Sequence, residues 1–66
     1  MSKSYYRDLL RDLKPYIKLA AFARQIGMNP STLSLFMRSP DNDYMISLGR
    51  LQELERAIMD FMSNFA

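Results

Sequence analysis

Sixty-six residues with no cysteine and no histidine make one small domain, expected to run over residues 1–66. That composition excludes a disulfide framework, a thiolate nucleophile and a cysteine zinc site, and it withholds the commonest general base and metal ligand. The net charge of +2 conceals a polarity: residues 1–38 hold seven bases against two acids, net +5, and residues 39–66 hold two bases against five acids, net −3.

Tyr6, Leu9, Leu10 and Leu13 recur at helical spacing, with Arg7, Asp8, Arg11 and Asp12 on the other side. They predict a first helix from about Ser4, ending near Lys14 because Pro15 disfavours helical geometry in the residue before it. Phe22, Ala23 and Ile26 make one apolar stripe of a second helix over 19–26. Gly27 ends it by taking a left-handed backbone angle at no steric cost. Asn29 is an N-cap and Pro30 a first helical residue, so a third helix covers 30–38, with Leu33, Phe36 and Met37 as its buried face. Ala23 is small where these two helices must approach closely.

Residues 39–43, Ser-Pro-Asp-Asn-Asp, are all turn formers and predict a loop. Tyr44, Met45 and Ile46 lead into a last helix capped by Ser47, and Leu48, Leu51, Leu54, Ile58, Phe61, Met62 and Phe65 hold helical spacing to its end. A continuous helix of about 18 residues is ~27 Å long at 1.5 Å per residue, more than a core of this size covers. No strand-like alternation occurs, so the expected class is all-α, with four to five helices. No apolar run approaches the ~20 residues of a membrane span. The opening Met-Ser-Lys-Ser-Tyr-Tyr lacks a signal-peptide pattern, and a cytoplasmic location is expected.

The run Phe22-Ala23-x-x-Ile26-Gly27-Met28 followed by Ser31-Thr32-Leu33-Ser34 resembles the lambda-repressor/Cro-like helix-turn-helix family of phage and bacterial regulators. The resemblance covers about residues 17–39 and extends more weakly over 47–58. It implies a lambda-repressor-like domain with its motif at about 18–38 and helix 30–38 as the reader of a DNA major groove. Lys18 and Leu19 stand where the family often has a serine cap and a phosphate-binding glutamine. Pro30 and Leu35 stand where it often has polar or basic residues.

On that frame Ser31, Thr32, Ser34, Leu35 and Arg38 are the expected base readers. Hydroxyls donate or accept at base edges, Leu35 presses on a thymine methyl, and Arg38 grips a guanine or a phosphate. Lys18, Arg24, Asn29, Ser39, Asn42 and Tyr44 flank the reader and are the expected phosphate contacts. The plain alternative is solvated surface, with Leu35 in a protein contact. Three or four neutralised phosphates give a salt slope near −3, at about 0.9 per contact, which favours a homodimer. Ile58, Met59, Phe61, Met62 and Phe65 are apolar in excess of a small core and are the expected dimer interface; the rival is that Phe61 and Phe65 fold back on the first helix. The methionines otherwise read as core filler. Tyr5, Tyr6 and Tyr16 read as core-edge residues.

No catalytic constellation, cofactor motif or metal set is present. Asp41-Asn42-Asp43 lacks the length and closing Glu of a calcium loop, and Glu53 and Glu55 point different ways on a helix. Two functions from different classes remain. The first is a repressor-like transcription regulator on double-stranded DNA. The second is a protein-interaction module on the same scaffold, an antirepressor or inhibitor that masks a partner repressor protein.

Overall fold

A computed structural model describes residues 2–64. Those residues are all-α. Helix α1 is Lys3–Leu13, α2 Leu19–Gln25, α3 Pro30–Arg38, a 3₁₀ helix covers Pro40–Met45, and α4 is Leu48–Ser63. Local chemistry sets each start. The Ser2 hydroxyl accepts from the Tyr5 N–H, Asn29 Oδ1 accepts from Ser31 N–H at 2.8 Å, and the Ser47 hydroxyl accepts from Arg50 N–H. Each such cap satisfies one orphan donor of a first turn.

The α2–α3 turn is a Schellman motif. Gly27 takes φ +76°, Met28 N–H reaches the Ala23 carbonyl at 2.8 Å, and Gly27 N–H reaches Arg24. Met28 is buried behind the turn. From α4, Arg50 Nη2 donates to the Ile26 carbonyl at 2.7 Å, so the exposed end of α2 is closed by a distant side chain. Ala23 is 0 % exposed, as the close approach of α2 and α3 requires. Tyr6 and Leu10 from α1, Phe22 from α2, Leu33 and Phe36 from α3, and Leu51, Leu54 and Ile58 from α4 fill one core.

Four expectations are corrected. Residues 39–43 are not an open loop. Ser39 is extended, its hydroxyl accepts from Asp41 N–H, and Pro40 opens the 3₁₀ helix. This is the same cap-then-proline device that starts α3, with Asp41 and Asp43 favouring the positive end of the turn. Arg7 does not lie outward on α1; it is 3 % exposed. Ile58 is 1 % exposed, packed inside the domain, and has no surface to give a dimer. Tyr16, expected at the core edge, is exposed. Phe65 lies outside the described residues. Phe61 packs its ring edge-on against Phe22 of α2, centroids 5.3 Å apart, and not on α1.

Candidate nucleic-acid interface

The C-terminal end of helix α3 is held by side chains from elsewhere. At its C-terminus the chain swings to extended geometry at Ser39, and Pro40 has no N–H to give the Phe36 carbonyl four residues back. Arg7 of α1 supplies it: Nε donates to the Phe36 carbonyl at 3.0 Å, and Nη2 donates to the Ser39 carbonyl and pairs with Asp43. Its guanidinium also lies 4.7 Å from the centre of the Phe36 ring. One turn on, Arg11 Nε donates to the Met37 carbonyl at 2.8 Å and Nη2 to that of Arg38. Asn42 Nδ2 donates to the Leu35 carbonyl at 2.7 Å. Carbonyls 35 to 39 are thus all covered by side chains, and the negative end of the α3 dipole carries two guanidinium groups.

With its inner face buried through Leu33, Phe36 and Met37, α3 turns Ser31, Ser34, Leu35 and Arg38 outward, all four exposed. Thr32 stands about 100° round the helix from Ser31, toward the core, at 3.6 residues per turn; it is half-buried and does not share the outward face. Pro30, at the helix entry, is half-buried.

The bases divide into two sets. Lys3 donates to the Asp43 carbonyl at 2.8 Å, Arg7 and Arg11 hold the end of α3, and Arg50 holds the end of α2 and pairs with Glu53. Among the described residues Lys14, Lys18, Arg24, Arg38 and Arg56 make no hydrogen bond or ion pair, and all five are exposed. Arg56 is on α4 and lines neither depression described next; the other four stand together. Lys14, Lys18 and Arg24 rim a groove of about 420 Å³ between the α1–α2 linker, α2 and α3, over a floor that includes Leu19 and Leu33. Lys14 and Arg38 also line a neighbouring hollow of about 320 Å³ beside Ser34. The two depressions share Lys14, Ser34 and Met37.

The remaining expected phosphate contacts are placed less favourably. Asn29 uses its Oδ1 as the α3 cap, Asn42 uses one amide hydrogen on Leu35, and the Ser39 hydroxyl already accepts from Asp41. Tyr44 is 81 % exposed. All but Asn29 lie in the segment that carries Asp41 and Asp43, whose negative charge opposes a phosphate; Asp43 is offset by Arg7, and Asp41 is exposed without an ion pair among the described residues. Sequence reasoning missed Lys14 and Arg11. The signal available was their spacing, three apart near the end of α1 and on the side of Arg7. At the far end of the molecule Met59, Phe61 and Met62 are each 43–47 % exposed. No helix of the described residues is long and apolar enough to cross a membrane. Comparisons of the chain with protein-family models, with curated proteins and with solved structures found no match.

Proposed function

We propose that this domain is a sequence-specific, DNA-binding transcription regulator of the lambda-repressor/Cro-like kind, acting in the cytoplasm as a homodimer. Helix α3 enters the major groove, Ser31, Ser34, Leu35 and Arg38 meet base edges, and the flanking cations meet phosphates. The observation that carries this reading is the set of four unpartnered cations, Lys14, Lys18, Arg24 and Arg38, gathered beside the exposed face of α3. Cations without a protein partner release condensed counterions when they meet phosphates, which drives association at low salt. The side chains fixed on the α3 C-terminus favour the same reading, because a recognition helix must keep its angle to the domain to register on a duplex.

Three neutralised phosphates per subunit, from Lys14, Lys18 and Arg24, give a salt slope of about −3. That is thin for one subunit, and two subunits on half-sites about one helical turn apart double it. The half-exposed Met59, Phe61 and Met62 at the end of α4 supply an apolar surface for that pairing. The test is retention of the chain on immobilised random-sequence DNA at low salt, with elution by moderate salt. Leu35, apolar and exposed on the outward face of α3, favours the second reading, a module that masks a partner repressor protein. Passage through the DNA column without retention, with retention on a column of such a partner, would establish that reading instead.

A further inference from the structure

The C-terminal end of a helix ordinarily repels anions, because its last carbonyls carry about half a negative charge. The end of α3 is built against that tendency. Arg7 is offset by Asp43. Arg11 covers the Met37 and Arg38 carbonyls but has no acidic partner among the described residues, so a net positive charge is left where the dipole is negative. A guanidinium has five N–H donors, and the Arg11 bonds to the two carbonyls leave Nη1 without a partner among the described residues. Arg11, Lys14 and Arg38 line one hollow of about 320 Å³ with the Ser34 hydroxyl and Met37, and no acid lines it.

We propose that Arg11, Lys14, Arg38 and Ser34 form a niche for one backbone phosphodiester of the bound DNA. This deepens, and rests on, the DNA-binding reading above. It changes three assignments. Arg38 meets a phosphate and not a guanine, Ser34 meets that phosphate and not a base edge, and the end of α1 becomes a second backbone clamp beside Lys18 and Arg24 at α2. Arg11 is the fixed member: its two carbonyl bonds hold the guanidinium in place before DNA arrives, so little side-chain freedom is lost on binding. Lys14 and Arg38 are the mobile members and close over the phosphate. The three like charges have no counter-charge in the hollow, and a phosphodiester supplies one.

The test uses the full chain and a short random-sequence duplex, with affinity measured by fluorescence anisotropy over a range of salt. Lys14→Gln and Arg38→Gln should each flatten the log–log salt slope by about 0.9. Neither side chain has a partner among the described residues whose loss would unfold the domain. Arg56→Gln, on α4 and outside both depressions, should keep the wild-type slope. An unchanged slope for Lys14→Gln beside a flattened one for Lys18→Gln overturns the niche and leaves the DNA reading standing. An equal flattening by Arg56→Gln also overturns the niche, since the attraction would then be diffuse. Failure of the wild-type chain to bind any duplex overturns both.

Discussion

The end of α3 and the rim of α2 carry the same kind of side chain with opposite consequences. At the end of α3, Arg7 and Arg11 reach across from α1 and serve carbonyls that the chain's own geometry orphaned, with Pro40 as the cause for Phe36. Along α2 and the linker before it, Lys14, Lys18 and Arg24 make no hydrogen bond or ion pair among the described residues. The first set stabilises the fold; Arg7 has little electrostatic reach, because Asp43 and backbone oxygens surround it, while Arg11, with no acidic partner among the described residues, keeps a net charge. The second contributes little to the fold, since exposed charges in water interact weakly, and it keeps its attraction for a polyanion. A net charge read over a segment therefore overstates the field the molecule presents. Of the seven bases in residues 1–38, Lys14, Lys18, Arg24 and Arg38 remain without a partner among the described residues.

That division can be broken at several strengths. The largest effect belongs to Arg7→Met, which leaves the Phe36 carbonyl unsatisfied and Asp43 unpaired. Breaking a buried pair costs roughly 3–5 kcal/mol, and the 39 % exposure of the Asp43 side chain puts this one at the lower end. Chemical denaturation should show the loss. Gly27→Val comes next, at about 1–3 kcal/mol. Its cost is backbone strain at φ +76° and not crowding, since the nearest atom to an added Cβ is 4.0 Å away at the tip of Arg50. Thermal melting reads it, and a melt equal to wild type would contradict the turn geometry. Asn29→Ala removes the α3 cap and should cost ~1 kcal/mol, again by melting. Lys18→Gln is the smallest: stability within about 0.5 kcal/mol of wild type, while the salt dependence of DNA binding flattens. If Lys18→Gln instead destabilised the fold as Arg7→Met does, the division into two sets would be wrong.

What could be read directly from the chain was local. Gly27, Asn29-Pro30 and Ser47 mark helix ends through interactions with residues one to five positions away, and all of them stand where their chemistry puts them. The same device at Ser39-Pro40 was legible in principle, but the surrounding turn formers mask it. The pairing of Arg7 with Asp43 spans 36 positions, so no periodicity in α1 reveals it; α1 by itself presents Arg7 as one more polar residue. The run Asp41-Asn42-Asp43 beside a packed core was the one hint that a cation must be near. In α4 the stripe gives the direction of the buried face and not its extent. Ile58 falls inside the core, Leu48 at the other end is 40 % exposed, and only the packed fold fixes where cover stops. Of the expected base readers, Ser31, Ser34, Leu35 and Arg38 are exposed on α3 as helical spacing predicts, while Thr32, one position's rotation toward the core from Ser31, is half-buried.

The most direct measurement is the set of backbone amide resonances of the isotope-labelled chain that move when a short duplex is added. If α3 is the reader, the shifts concentrate on residues 29–38 and on the linker and α2 around Lys14, Lys18 and Arg24, and the solvent face of α4 stays still. Shifts confined to the end of α4, or none at low salt, would contradict the assignment of α3 as a DNA-reading helix.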